Sequence, residues 1–410
     1  ACHAEATETV QEALVRQKSK EEWGSGRLEI QGPMPQRVAA SRLSKYASFP
    51  GCDKDLLIDI LSQRCNAQRL VIAEAYLSTF GREIPEKPQN GYCYPFQPPI
   101  TKASDFTKHQ KQFFCPKCVA QNDLVSDLKE KLCDHFKEVM VGLMYPPPSY
   151  DAHELWHAMK GAGTDENCLI DILASRTNGE IFQMREAYYL QYSRDLQEDI
   201  YSETSGHFRD TLVNLVQGTR EEGYTDPATA AQDAMVTGQP WGDRGTLGTP
   251  AWGHGATWRP VMFQVLWETC QQRTGEHKTL LQMILCNKSY QQLWLVFQEF
   301  QTISGQDIVD AINERYDGSF QELLVAIVLC VRDKPAYFAY RLYSAIHDFG
   351  FHNKTVIRIL IARSEIDLMT IRKRYKERYG KSLFHDIKHF ASGHYEKALL
   401  AICAGDADDY

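Results

Sequence analysis

The chain has 410 residues and carries 45 Lys and Arg against 53 Asp and Glu, which gives a net charge of −8. This charge provides no general attraction to nucleic acid or to an anionic membrane, so we do not expect a nucleic-acid partner. The longest wholly apolar run, residues 323–331, has nine residues and is too short to span a bilayer.

Residues 1–46 are a polar head in which Gly and Pro recur between Gly24 and Pro35, so we expect a flexible segment. No apolar stretch typical of a signal peptide occurs in it. The twelve cysteines lack the spacing of a disulfide framework, and several lie in apolar helical stripes, which favours reduced thiols. We therefore expect a cytoplasmic protein, with the nucleus as a second location.

A helical pattern recurs four times along the chain. Residues 57–64 match residues 169–176 and 356–363, and residues 280–287 form a weaker copy with Asn287 where the others have Arg. Apolar residues recur at spacings of three and four, which is the period of a helix with one buried face. No stretch shows the sustained alternation of a strand, so the sequence predicts an all-α protein built from helical repeats.

Two stretches interrupt this pattern, residues 85–124 in the first repeat and residues 237–265 in the third. Both are rich in residues typical of loops and lack a helical period, so we interpret them as insertions. The first insertion contains a CxxC at Cys115 and Cys118, which is the spacing of a zinc knuckle. Four ligands are needed to close such a site, and no zinc-finger spacing completes this one, so zinc is the less favoured interpretation.

A glycine turn occupies residues 159–165, with glycines at Gly161 and Gly163. Glycine tolerates positive φ and has no Cβ, so backbone carbonyls can converge there on one point. Glu203, much later in the chain, could close the ligand shell with a carboxylate, and an oxygen shell of low charge suits Ca²⁺. Each part also has a structural explanation, because residues 164–166 suit a helix N-cap and Glu203 could be a solvated acid.

The order of these motifs resembles the annexin family. The signature Lys-Gly-x-Gly-Thr-Asp occurs at residues 160–165, and residues 397–403 resemble the end of the last repeat of the family. The resemblance covers about residues 50–84, 125–236 and 265–410. It implies an all-α fold of four repeats packed as a curved disc, with two non-repeat insertions.

The resemblance also implies a division of the chain into a head and four repeats. The predicted bounds are 1–46 for the head, 47–148 for repeat 1, 149–225 for repeat 2, 226–335 for repeat 3 and 336–410 for repeat 4.

The calcium ligands that the resemblance implies are the backbone carbonyls of Met159, Gly161 and Gly163 and the carboxylate of Glu203. Ca²⁺ held there would link the protein to acidic phospholipid, in particular to a membrane surface containing phosphatidylserine. The association with the membrane would be peripheral and reversible.

The other three repeats lack the carboxylate, because its position is taken by Lys131, Arg315 and Phe390. A cation would repel Ca²⁺, arginine does not deprotonate, and phenylalanine has no ligand oxygen. We therefore expect three lost sites and weakened calcium-dependent lipid binding, a pattern that points to one subtype within the family. The alternative is a calcium-independent interaction scaffold built on the same core, and in neither case does a set of residues indicate an enzyme.

Two further motifs have simpler explanations. Residues 153–157 match the H-E-x-x-H pattern of zinc proteases, but they lie in a short repeat helix and no third ligand is in view. Residues 372–381 are a basic run on a predicted helix, which is usually a solvated face, although it could contact anionic lipid or RNA by charge.

Overall fold

The computed structural model describes residues 38–43, 53–80, 124–223, 275–348 and 350–403. The described residues contain helices and no strand, which confirms the predicted all-α class. In chain order the helices are α1 (38–43), α2 (Lys54–Ser62), α3 (Asn66–Phe80), α4 (Leu124–Lys131), α5 (Asp134–Leu143), α6 (Pro147–Met159), α7 (Glu166–Leu173), α8 (Asn178–Tyr192), α9 (Leu196–Glu203), α10 (Gly206–Val216), α11 (Gly275–Asn287), α12 (Tyr290–Ser304), α13 (Ile308–Asn313), α14 (Gly318–His347), α15 (Asn353–Arg363), α16 (Leu368–Tyr379), α17 (Leu383–Phe390) and α18 (Gly393–Cys403).

Several of the sequence predictions fall outside these residues. They include most of the head, the insertion at 237–265 and the CxxC at Cys115 and Cys118. Leu124, the last residue of the predicted insertion 85–124, begins α4 and is only 1% exposed.

Short polar side chains fix where many of the helices begin. Asp53 accepts a hydrogen bond from the N–H of Leu56 at the start of α2, at 3.0 Å. Thr177 and Glu180 form a capping box at the start of α8. Such caps satisfy backbone donors that have no partner within the helix, and each stabilises its helix by about 0.5–2 kcal/mol.

The long helix α14 bends at Asp333, where φ −159° and ψ 93° leave the helical region. The carboxylate of Asp333 accepts a hydrogen bond from the N–H of Ala336 at 3.0 Å, so it caps the segment that follows. Pro335 suits the first turn of that segment because its missing N–H would have no helical partner there. The bend lies close to the predicted boundary between the third and fourth repeats.

In the third repeat, the copy of the apolar pattern is displaced by one residue from the predicted register. Leu281 and Leu285 are fully buried, whereas Met283 is 52% exposed. The predicted match of residues 280–287 would place Met283 opposite Ile60, which is buried in the first repeat. That match is wrong by one residue, because one step along a helix moves a side chain to a different face.

The corrected match pairs residues 281–288 with residues 57–64. It places Lys288, rather than Asn287, at the position that is Arg in the other repeats. The ammonium group of Lys288 lies 2.8 Å from the carboxylate of Glu221, so the third repeat keeps a positive charge at this position.

The repeats pack directly against one another. The last repeat packs on the first, through α18 against α2 and α5 and through α15 against α5. The second repeat packs on the third through α10 and α11, and on the long helix α14 through α7. Burial of their apolar faces is the main stabilising contribution in such an array.

A buried carboxylate joins the second repeat to the fourth. Asp171 on α7 is 2% exposed and accepts hydrogen bonds from Tyr337 (2.6 Å), Arg341 (2.7 Å) and Arg358 (2.6 Å). Burial alone would raise the pKa of this carboxyl group, but Arg341 and Arg358 hold the pKa below its usual range. A charge buried away from water is stable only with such partners.

None of the described helices has both the length and the apolar character that a bilayer span requires.

Candidate calcium site

The candidate site is built on the loop between α6 and α7. Helix α6 ends at Met159, and the N–H of Asp165 donates to the carbonyl of Ala158 at 2.9 Å, which closes the loop. Gly161 has φ +127° and Gly163 has φ +100°, conformations that residues with a Cβ rarely adopt. The glycines are needed for these angles rather than for space, because nothing lies within 4 Å of a Cβ built on either of them.

The loop is exposed, whereas the side chain of Met159 is buried, with a relative exposure of 5%. The thioether of Met159 therefore belongs to the core, and only the backbone carbonyl is a candidate ligand. Carbonyls in the last turn of a helix have no intrahelical partner, so the end of α6 is a natural place for an acceptor to face a cation.

Glu203 is the last residue of α9, and it lies against this loop. The hydroxyl of Thr164 donates a hydrogen bond to the backbone carbonyl of Glu203 at 3.1 Å. The side chain of Glu203 is exposed and so is free to turn towards the loop. The structure thus brings together the four residues that the sequence predicts as ligands, Met159, Gly161, Gly163 and Glu203.

The donor set suits a hard cation. It consists of neutral carbonyl oxygens and one carboxylate, the oxygen ligands that Ca²⁺ takes in flexible sites. Among the residues that the structure describes, no three His, Cys, Asp or Glu side chains are grouped to hold a metal. A site made mainly of backbone carbonyls does not require such a group, because it needs only one of those side chains.

The predicted helix cap is also present. The carboxylate of Asp165 accepts a hydrogen bond from the N–H of Cys168 at 3.1 Å, at the start of α7. This explains Asp165 without a metal, and it also fixes the direction in which the loop enters α7. The cap and the candidate site are therefore compatible.

The residues that replace the carboxylate lie at equivalent places in the other repeats. Lys131 is the last residue of α4 and Phe390 is the last residue of α17. Arg315 follows α13 and donates from its guanidinium to the carbonyl of Ala311 at 3.0 Å. Phe390 is 44% exposed and its ring packs edge-on against His347.

The fourth repeat keeps part of the backbone geometry of the loop, a feature that the sequence did not predict. The N–H of His352 donates to the carbonyl of Ala345 at 2.7 Å, the same closing bond as in the second repeat. Gly350 has φ +109°, close to the value at Gly163. The sequence did contain a signal for this turn, because Gly350 follows Ala345 at the same spacing at which Gly163 follows Ala158. The fourth repeat has therefore lost the carboxylate but keeps the closing bond and a left-handed glycine, whereas Asp348, at the position of Gly161, has φ −82°.

Residues 372–379 of the basic run at residues 372–381 lie on α16, and the run is partly neutralised. Arg374 contacts Asp333 at 2.8 Å and Glu377 at 3.0 Å, and Arg372 is only 8% exposed. Lys373 keeps an exposed side chain, 3.9 Å from Glu377. Paired charges attract an anionic surface weakly, so this helix is a poor candidate for the principal lipid contact.

Known proteins resemble this chain in sequence and in fold. A sequence model of the annexin family matches residues 38–87, 150–215, 264–327 and 337–402. The chain is 70% identical to human annexin A10 over 359 residues, covering 88% of this chain and 90% of the relative. It is 38% identical to pig annexin A4 over 368 residues, covering 90% and 94%. The solved structure of annexin III superposes with a TM-score of 0.72 at 35% identity, covering 94% of this chain and 99% of that chain.

Proposed function

The chain belongs to the annexin family, and we propose that it binds acidic phospholipid membranes in a calcium-dependent way through one site, the loop of the second repeat. Annexins are in general calcium-dependent phospholipid-binding proteins. The subtype to which the pattern of lost sites points is A-ten, the subtype of the 70% identical human relative. The proposal for this chain is narrower than the family function, since it assigns the binding to four residues.

The observation that carries the proposal is the bond between Thr164 and Glu203. It brings the backbone of Glu203, the residue that carries the only carboxylate of the predicted ligand set, against the glycine loop, which supports the proposal. The carbonyls of Met159, Gly161 and Gly163 would supply neutral oxygens, and Glu203 would supply the negative charge that offsets the charge of the metal. When bound, Ca²⁺ would attract the phosphate oxygens of an acidic lipid.

We expect this binding to be weak. Several membrane contacts on one molecule raise the overall affinity by making each later contact intramolecular. Lys131, Arg315 and Phe390 remove the charge needed for equivalent sites in the other three repeats. With one site, the protein should require more Ca²⁺ and more phosphatidylserine than a protein with four.

A sedimentation assay tests the proposal. The full chain is mixed with vesicles containing phosphatidylserine, Ca²⁺ is raised into the millimolar range, and the protein in the pellet is measured. We expect sedimentation that rises with Ca²⁺, reverses with a chelator and is absent with vesicles of neutral lipid. Sedimentation that does not depend on Ca²⁺ would contradict the proposal.

The loss of the carboxylate at Lys131, Arg315 and Phe390 also favours a second candidate function, a calcium-independent interaction scaffold. In that case the repeat core would serve as a rigid surface, and the loop of the second repeat would be a remnant. A chain that remains in the supernatant at every Ca²⁺ concentration would support the scaffold and exclude the first proposal.

Annexins are in general non-enzymatic proteins that bind membranes peripherally. We propose that this chain likewise has no enzymatic role and associates with the membrane reversibly from the cytoplasm. The nuclear location expected from the sequence has no support in the comparisons.

A further inference from the structure

A histidine pair on α6 is not used by the calcium site. The rings of His153 and His157 are one helical turn apart, with centroids 4.3 Å from each other. Residues at positions i and i+4 of a helix lie on one face, so two imidazoles with this spacing can bind one ion together. Both side chains reach the surface, since His157 is exposed and the side chain of His153 is 25% exposed.

A carboxylate orients the first histidine of the pair. The Nδ1 of His153 lies 3.2 Å from the carboxylate of Glu154. A carboxylate on Nδ1 favours the tautomer that carries its proton there, which leaves Nε2 with a free lone pair. Histidines that bind metals in proteins commonly have such a second partner, which fixes the ring and raises its basicity.

We propose that His153 and His157 form a two-histidine site for a borderline divalent transition metal such as Zn²⁺, with Glu154 as the positioning residue. Imidazole suits this class of ion, whereas a carbonyl and carboxylate site such as the neighbouring loop suits Ca²⁺. The two sites would differ in ligand type and therefore in the metal that each selects.

The surroundings make this an open site. No third metal-binding side chain joins the pair among the residues that the structure describes, so water would complete the shell. An exchangeable ion is expected, not a permanent structural one or the three-ligand site of a zinc protease.

The chain offers a matched control on another helix. His385 and His389 on α17 are also four residues apart, but their rings are parallel and their centroids are 6.5 Å apart. This pair tests whether two histidines four residues apart are sufficient to bind the metal ion, or whether binding requires the closer approach of the two rings on α6.

Isothermal titration of the full chain with Zn²⁺, in the absence of Ca²⁺ and lipid, tests the site independently of the proposed membrane function. We expect the double variant His153→Gln, His157→Gln to bind one Zn²⁺ fewer per chain than the wild type. The variant His385→Gln, His389→Gln should keep that ion. An equal number of ions in the wild type and in the first variant would overturn the proposal.

Two further variants guard against unfolding and test the carboxylate. His157→Gln changes an exposed residue, should leave the circular dichroism spectrum unchanged and should still lose the ion. Glu154→Gln should weaken Zn²⁺ binding about 10–100-fold, as loss of a second partner does at other sites. Unchanged affinity in Glu154→Gln would show that this carboxylate does not position His153, and retention of the ion in His157→Gln would overturn the site.

Discussion

The hydroxyl of Thr164 donates a hydrogen bond to the carbonyl of Glu203, at 3.1 Å. This bond connects the loop after α6 to the end of α9, two segments that are distant in sequence. It holds the carboxylate-bearing residue beside the loop before any ligand arrives. A site arranged in advance loses less conformational entropy on binding, so the bond should contribute to affinity without being a ligand itself.

The first prediction concerns the carboxylate. Glu203→Gln keeps the size of the side chain but removes the charge that offsets Ca²⁺, and neutral carbonyls alone hold a divalent ion poorly. Calcium-dependent sedimentation with phosphatidylserine vesicles should disappear. Stability without Ca²⁺ should change little, because Glu203 is exposed. Glu198→Gln, an exposed acid on the same helix, should sediment like the wild type. Unaltered calcium dependence in Glu203→Gln would place the lipid contact elsewhere.

The second prediction concerns the connection between the two segments. Thr164→Val keeps the shape of the side chain but removes the hydroxyl that donates to Glu203. All the predicted ligands remain, so Ca²⁺ binding should weaken several-fold rather than vanish. The loss of one neutral hydrogen bond at a partly exposed position should cost about 0.5–1.5 kcal/mol of stability. Calorimetric titration measures the affinity, and an affinity equal to that of the wild type would show that the bond does not organise the site.

The third prediction concerns the number of sites. The wild type should bind about one Ca²⁺ per chain, with a dissociation constant of about 10⁻⁴–10⁻³ M, the weak end of the protein range. Phe390→Glu should add a second, weak site, because the fourth repeat keeps the loop-closing bond and the left-handed Gly350. Lys131→Gln, which removes a charge without adding a ligand, is the control. Three or four equivalent sites in the wild type would contradict the assignment of lost sites.

The helical class and most of the repeat were predictable because they follow from local spacing. An apolar residue at every third or fourth position produces a buried helical face wherever it occurs. The third repeat shows the limit of this reasoning. Met283 begins a run of four apolar residues, 283–286, and only packing against other helices shows that Met283 is the exposed member.

The candidate site was predictable for a different reason. Its glycines and its carboxylate are required by chemistry, and their residue types remain visible in the sequence. The partner of Thr164 was not predictable, because a contact between a side chain and a distant backbone carbonyl leaves no pattern of residue types. The left-handed Gly350 was not predicted because Asp348 replaces the first glycine of the loop, so the Gly-x-Gly pattern is absent from the fourth repeat.

The fourth prediction concerns a hydrogen bond that three repeats share. Tyr188 donates to Asp199 at 2.6 Å, and equivalent Tyr–Asp bonds occur in the first and fourth repeats. The third repeat has Phe300 and Ala311 at these positions, so both polar partners are lost together. In the second repeat Asp199 also accepts hydrogen bonds from the guanidinium of Arg194, so it keeps a donor when the hydroxyl of Tyr188 is removed.

Tyr188→Phe should destabilise the protein by about 0.5–1.5 kcal/mol, the cost of one hydrogen bond, because Arg194 still donates to Asp199. Tyr188→Phe combined with Asp199→Ala, which copies the third repeat, should cost less than the sum of the two single changes. Urea unfolding of the wild type, the two single variants and the double variant measures the coupling energy between Tyr188 and Asp199. Additive costs would show that the Tyr–Asp pair contributes as two independent residues.

The last prediction concerns Asp171, which joins the second repeat to the fourth. Asp171→Asn keeps the size of the side chain but leaves Arg341 and Arg358 without their counter-charge. Removing one partner of a buried ionic group costs about 3–5 kcal/mol, so the midpoint of urea unfolding at neutral pH should fall clearly. The exposed Glu186→Gln should have no comparable effect.

The difference between wild type and Asp171→Asn should also depend on pH. The folded state holds the pKa of Asp171 below its usual range, whereas the unfolded chain has a pKa of about 3.9. The stabilisation is therefore fully present above about pH 4 and is lost as the pH falls through the lower pKa of the folded state. Unfolding free energies measured from pH 7 down to the acid limit should converge for the two proteins below about pH 4. A difference that stays constant across this range would show that the carboxylate acts through packing rather than through its charge.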